Sequence, residues 1–531
     1  MNMKKGLLYI TLGLTLFSSG CTHDFDEINS DPVAVDGTRY NANLLLSKSQ
    51  YQYANKGYAQ LLFQSMWPQL LASTYNYYSN GDKYVASSGI IGYQNQLWND
   101  DYRGASFAYE MITLAKEKGL TNLESAGTIM KILLIQHITD CYGDIPYSEA
   151  LQGKTNVFTP KYDTQEEIYT SMLAELETAI NAFDPAADKL TSDLFYGGDI
   201  AKWKRFGYSV MLRAAMRLVK AKPELARQYA EKAAAGGTFA GISDNAVCPT
   251  DNSTGNGNGT SSALLVVEDF REVKWSKPLI DYLKANDDPR LGVAAEVPPA
   301  GLADGTNSAL AGNKDPNVQI GMPNGYDLAG GATDITKRSD YPGGTGTGAN
   351  LYPLGKYSRP TTAVYLGRSA PEFVLTYAET ELLLAEAAVR GWTVTGSAAT
   401  HYRNGVSAAL QSLATFSSSA AIPAATADAY AAAHPLDVTS TNASLKMINE
   451  QYWATNGLLF NFIEAWINWR RSGYPVLTPV NYIGNFTGGT IPRRIAYQST
   501  EGSTNPVNYS AAVGRLQGGD TYTARVWWDG Q

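Results

Sequence analysis

What most constrains this chain is a succession of segments whose apolar residues recur every three to four positions, each opened by a helix-starting residue. Thr121-Asn122-Leu123-Glu124 has the pattern of a capping box, in which each side chain satisfies the other's free N–H. Behind it Ala126, Met130, Leu133, His137 and Cys141 fall at helical spacing, and Gly143 closes the run. Thr164 and Glu167 form a second box ahead of Ile168, Met172, Leu176, Ile180 and Phe183. Asp199 caps a segment carrying Trp203, Phe206, Val210 and Ala214. Pro223 opens the next segment and Gly236-Gly237 end it, as helix termini prefer. Residues 43–71 read as one long helix or a pair interrupted near Pro68, and about 98–118 as another. The pattern returns at 373–392, about 397–415 and 442–472, and Asn505-Pro506 starts a short helix in a turn-rich end. The predicted fold is therefore mostly α, built from tetratricopeptide-like helical hairpins. The starts at Thr121, Thr164 and Asp199 are unevenly spaced, so no fixed repeat period exists.

Residues 240–372 differ. Two glycine-rich stretches, 252–259 and 343–348, are loop material, and short apolar runs such as 264–267 read as strands. The organisation expected is a helical part over 41–239, a loop-rich, ligand-side part over 240–372 and a C-terminal helical part over 373–531, packed together as one domain.

The N-terminus carries an address. Lys4 and Lys5 precede an apolar run over 6–17, then Ser18, Ser19, Gly20 and Cys21. The run is too short to span a membrane, which takes about 20 residues. It reads as a secretory signal over 1–20, cleaved before Cys21. A cysteine there resembles the lipobox of bacterial lipoproteins, which implies acylation of Cys21 and a tether over 21–40. The acidic stretch Asp24-Phe25-Asp26-Glu27 resembles a signal for export to the outer face of the outer membrane, and also suits a solvated tether.

Composition narrows the chemistry. The formal net charge of −8 argues against a nucleic-acid partner. Charged residues are only 17%, and 34 tyrosines accompany abundant Gly, Asn, Ser and Thr, a surface suited to neutral polar ligands. With Cys21 acylated, only Cys141 and Cys248 remain, so a disulfide framework is excluded and a single bridge stays open. His137 and Cys141 lie four apart, but on an apolar stripe with no further ligands, so they read as core rather than metal site. Neither HExxH nor GxSxG occurs. The Asp251 loop lacks the closing glutamate of an EF-hand; no cofactor is expected, and only a looser calcium site stays open. Glu386, four before Arg390, reads as a helix-surface ion pair, and no carboxylate pair stands out for glycoside hydrolysis. Aromatics are the remaining signal. Tyr75-Asn76-Tyr77-Tyr78 follows a helix among turn residues, and Tyr326, Tyr341, Tyr352 and Tyr357 lie in the loop-rich part. Flat π-faces flanked by phenol and amide groups make a binding platform. Tyr75, Asn76, Tyr77, Tyr78, Tyr326, Tyr341 and Tyr352 are the candidate ligand-binding residues. Trp98 and Tyr102, and likewise Trp466 and Trp469, read as core.

Several segments together resemble one family. They are Asp140-Cys-Tyr-Gly-Asp-Ile-Pro-Tyr-Ser-Glu-Ala-Leu151, Thr376-Tyr-Ala-Glu-Thr-Glu-Leu-Leu-Leu-Ala-Glu-Ala-Ala388, Glu464-Ala-Trp-Ile-Asn-Trp-Arg-Arg-Ser-Gly-Tyr-Pro475, Ile491-Pro-Arg-Arg-Ile-Ala-Tyr497 and Asn505-Pro-Val-Asn-Tyr509. In this order, after a lipoprotein leader, they resemble the SusD/RagB-like nutrient-binding lipoproteins of Bacteroidetes outer membranes, closest to the SusD-like 2 branch. The resemblance implies a helical tetratricopeptide-like fold and a non-catalytic, lipid-anchored protein at the cell surface. It implies a SusC-like TonB-dependent transporter as partner, over which the protein acts as lid, and a glycan or oligopeptide as ligand. The competing reading is a surface-anchored glycoside hydrolase.

Overall fold

The computed structural model of the chain describes residues 40–87, 91–300 and 310–530. The leader, Cys21 and most of the tether lie outside these residues. The longer helices are α1 (Asn43–Ala54), α2 (Ile91–Lys118), α3 (Thr121–Tyr142), α4 (Gln165–Ala182), α5 (Ile200–Arg217), α6 (Pro223–Gly236), α7 (Tyr377–Val389), α8 (Ala398–Ser412), α9 (Ala424–Ala433), α10 (Thr441–Leu458), α11 (Phe462–Ser472) and α12 (Pro506–Arg515). They pack largely on their neighbours in sequence: α2 on α3, α3 on α4, α4 on α5, α5 on α6, then α7 on α8, α8 on α9 and α10 on α11. Contacts of α5 and α10 with α7 join the two series. From Asn43 onward the chain is one compact unit. The fold is mostly α, as expected.

The strands are short: β1 (Leu71–Ser73), β2 (Ile145–Pro146), β3 (Tyr162–Asp163), β4 (Ala246–Cys248), β5 (Val273–Trp275), β6 (Ala295–Glu296), β7 (Arg359–Pro360) and β8 (Glu372–Leu375). They pair as β1·β5, β2·β3, β4·β8 and β6·β7, all antiparallel. In β1·β5, Leu71 lies opposite Trp275 and Ser73 opposite Val273, which clips the loop-rich part to the end of the first helical segment.

Local signals set most helix starts. Thr164 and Glu167 make the reciprocal capping box of α4, Asp199 accepts the Lys202 N–H at α5, and Pro223 and Pro506 occupy first turns. The expected box at Thr121 does not form. There the Asp188 carboxylate, from the loop after α4, accepts the Asn122 and Leu123 N–H groups at 2.8 and 3.1 Å. Other boundaries also differ. α1 stops at Ala54, well before Pro68, because Gly57 turns the chain at φ +49°. The run at 264–267 is not a strand: Asn258 caps a helix over Gly259–Leu264, another follows over Val267–Glu272, and the strand comes after it. The segment from 373 begins as β8, and the helix waits for the Thr376 cap. Residues 442–472 form two helices, parted where Phe460 takes φ 57°.

The family-like segments meet in the core. Arg213 and Arg217 of α5 are buried with Asp140 of α3, Glu379 of α7 and Glu464 of α11. Arg213 Nε lies 2.6 Å from Glu379, Arg217 Nε lies 3.2 Å from Asp140, and a second nitrogen of Arg217 binds Glu464. Arg471 grips Glu386 through two bonds of 2.6 and 2.7 Å. Glu386 is thus buried, not a surface partner of Arg390. Burial pushes its carboxyl up, but Arg471 and then Arg390 outweigh that and hold it down to about 2. Arg470 stacks over Trp466 at 3.7 Å and also faces Trp528. Trp98, Trp466 and Trp469 are buried, as expected of core residues, and Tyr102 donates to the Pro146 carbonyl. Cys141 and Cys248 are both free and buried.

Candidate ligand-binding surface

The tyrosine loop leaves the core at the end of β1. Tyr75 N–H bonds back to Ser73 Oγ at 3.1 Å, and Thr74 Oγ1 donates to Glu272 at 2.8 Å. Residues Asn76–Tyr78 then make one 3-10 turn, closed by the Tyr78 N–H on the Tyr75 carbonyl at 3.0 Å. This turn gives the tyrosines different fates. Tyr75 and Tyr77 are half-buried and Asn76 is exposed, whereas Tyr78 points inward and is 0% exposed. The Tyr78 hydroxyl donates to Asp269, and the Tyr58 hydroxyl donates to the other oxygen of that carboxylate at 2.8 Å. Burial pushes the Asp269 carboxyl up to about 6, against the opposing pull of both hydroxyls.

Two further tyrosines complete the surface. Tyr58 stands edge-on to Tyr77 with ring centres 5.7 Å apart, and Tyr93, in the first turn of α2, lies 5.3 Å from Tyr58 and 5.8 Å from Tyr77. Tyr75 sits 5.9 Å from Tyr77. All four rings are half-buried, so each keeps part of its surface free. No local pattern linked Tyr58 or Tyr93 to the loop, because they come from different elements. Asp269 was hidden in the segment read as loops and strands.

Tyr326, Tyr341 and Tyr352 belong elsewhere. Tyr352 is core at 3% exposure, in a cluster with Ala72, Met322, Ile335, Leu354 and Tyr357. Its hydroxyl donates to the Arg271 carbonyl and accepts from Lys274 at 2.6 Å. Burial pushes the Lys274 ammonium well below its ordinary value. Tyr341 packs on the same cluster and spends its hydroxyl on the Pro353 carbonyl at 2.6 Å. Tyr326 lines a cleft of about 910 Å³ with Lys277, Tyr282, Asn324, Arg338 and Asn481. Arg338 lies 4.6 Å over the Tyr326 ring and donates to its hydroxyl. Tyr78 and Tyr352 therefore support surfaces from beneath, while Tyr75, Asn76, Tyr77 and Tyr326 stand on them.

One buried residue ties the loop to the cleft. The Asp82 carboxylate accepts the Ser73 N–H at 3.4 Å, the Asn324 side-chain amide at 2.6 Å and the Gly325 N–H at 2.8 Å. Lys83, also buried, donates to the Ser73 carbonyl at 2.8 Å. His137 pairs with Asp101 at 3.1 Å, and Asp251 turns back on Ser253. Among the described residues no three His, Cys, Asp or Glu side chains gather as metal ligands.

The chain matches the profile of the SusD-like 2 family, described as starch-binding associating with outer membrane, over residues 35–498. It belongs to that family, whose members are nutrient-binding proteins associated with the outer membrane. Among solved structures, it is similar to a chitin-binding protein, with 31% identity over 92% of this chain and 100% of that one, at TM-score 0.78. It is also similar to a SusD-like protein of Bacteroidetes AC2a, at 26% identity over 93% and 100% of the two chains and TM-score 0.77. A SusD-like protein from Bacteroides thetaiotaomicron shares the fold, at 22% identity over 92% and 98% and TM-score 0.70. Comparison with curated proteins gives no match. Among the described residues no helix is long and apolar enough to cross a membrane.

Proposed function

We propose that this protein captures a glycan on the surface formed by Tyr58, Tyr75, Tyr77 and Tyr93, and delivers it to a TonB-dependent transporter barrel as its lid. Cys21 carries the lipid anchor that holds it at the outer membrane. The observation that carries this reading is the cluster of four half-exposed rings in mutual contact, of which Tyr58 is held by the buried Asp269 carboxylate. Tyrosine offers wide contact area with little side-chain entropy to lose, and the phenols supply hydrogen bonds. A rigid platform favours affinity because little ordering remains at binding. The protein acts by binding, not by bond cleavage.

The 31% identical relative is a chitin-binding protein, which makes N-acetylglucosamine oligomers the first ligands to test. Calorimetry should be run with these, with maltooligosaccharides and with a mixed peptide pool. A glycan is expected to bind, and Tyr75→Ala with Tyr77→Ala to weaken it about tenfold or more at nearly unchanged melting. Binding of peptides alone, or of neither class, would overturn the glycan reading. New reducing ends from any glycan would move the protein to the hydrolases. Detergent phase partitioning of the full chain against Cys21→Ala tests the anchor: the wild type should enter the detergent phase and the variant should not.

A further inference from the structure

A second polar cavity lies far along the chain from the tyrosine loop. It has a volume of about 340 Å³ and is formed where α8 passes α9 and the start of α7. Helix α8 presents Arg403, Asn404, Ser407 and Gln411, spaced so that they share one face. Asp428 of α9 and Tyr377 of α7 add to the lining, with Ile242 and Ala408 as its apolar members. The groups are held in order. Ser407 Oγ donates to Asp428 Oδ1 at 2.6 Å, and Gln411 Nε2 donates to Ser407 Oγ at 2.9 Å. Asn404 is fixed through its amide to Glu381 at 2.9 Å, and Tyr377 is half-buried.

What remains unused points to a ligand. Arg403 has no hydrogen-bond or ion-pair partner among the described residues, so its guanidinium donors are free. Asp428 is exposed, and among the described residues its second oxygen accepts no hydrogen bond. A free planar donor and a free acceptor thus share one cavity with amide groups and an aromatic ring. Their charges balance, which disfavours an ion of either sign. A guanidinium that donates and a carboxylate that accepts fit adjacent hydroxyls, each of which can do both. The volume is at the low end of the range for ligand pockets, about 300–1,000 Å³, which suits a single ring rather than a chain.

We propose that this cavity is a second carbohydrate site that takes one neutral sugar ring, independent of the tyrosine surface. Weak binding is expected, because one ring makes few contacts. Saturation-transfer NMR with N-acetylglucosamine, glucose and galactose at millimolar concentration tests it. At least one sugar should receive transfer from the wild type and still receive it from the Tyr75→Ala/Tyr77→Ala variant. Added to that tyrosine variant, Arg403→Ala with Asp428→Ala should weaken that sugar about tenfold at unchanged melting. Arg403→Ala alone, at an exposed residue, keeps the test if the double variant melts early. No transfer to any of the three sugars overturns the proposal. So does transfer that survives Arg403→Ala with Asp428→Ala in the Tyr75→Ala/Tyr77→Ala background, or that vanishes with the tyrosine variant alone. The tyrosine surface can fail to bind a glycan while this site stands, and the reverse, so the two readings fall separately.

Discussion

At the residue scale, Asp269 is a carboxyl whose ionisation the fold perturbs beneath the tyrosine surface. Its carboxyl titrates at about 6 in the folded protein, against about 3.9 in an unfolded chain. Between those values the folded state holds a proton that the unfolded state has released. Stability contributed by this group is therefore fully present below about pH 4 and falls as pH rises to about 6. Asp269→Asn removes the titration. Urea melts of wild type and variant from pH 4 to pH 7 should show the wild type losing on the order of 2 kcal/mol relative to the variant. A difference that stays flat with pH would mean the carboxyl is not held in this way. Tyr78→Phe is expected to lower stability while leaving the outward rings of Tyr75 and Tyr77 in place, because Tyr78 serves the carboxylate and not the surface.

At the scale of elements, the start of α3 shows what a helix can borrow. Two of its free N–H groups are satisfied by Asp188, which belongs to another loop. Asp188→Ala should cost about 1 kcal/mol, the usual effect of losing a cap, while Thr121→Ala should leave the thermal melt nearly unchanged. The reverse order would restore the local capping box. This contrast explains what was legible in the sequence. Thr164, Asp199, Pro223 and Asn505-Pro506 act within their own turn, and their signals read correctly. Asp188 acts across 66 positions on Asn122, which no local pattern contains. The same holds for the site. Three tyrosines within four residues marked the loop, but period alone did not tell that Tyr78 turns inward. Nor could it bring Tyr58, Tyr93 and Asp269 to the same place. Tyr326 and Tyr352 are alike in the sequence as tyrosines of one loop-rich part, but Tyr326 is half-buried in the cleft whereas Tyr352 is sealed under the clip between β1 and β5.

At the scale of the whole molecule, the buried charges of α3, α5, α7 and α11 hold distant segments in one arrangement. Removing one member strands its partners in a low-dielectric interior. Arg217→Met would leave Asp140 and Glu464 without their shared cation, at a cost of about 3–5 kcal/mol. Replacing the exposed Arg227, which pairs with Glu231 along α6, should not shift the melting temperature measurably. Thermal melts of the two variants side by side check this, and similar losses in both would show that the core charges carry no special weight. Asp82 has a different consequence. Its bonds to Ser73 and Gly325 go to main-chain N–H groups, so that part of the frame beneath the tyrosine loop and the cleft does not depend on which aromatic side chains stand there. The aromatic residues at positions 75, 77 and 326 can be exchanged by mutation without releasing that frame, and a lineage carrying this fold can therefore change its diet by altering a few rings while the rest of the molecule is inherited unchanged.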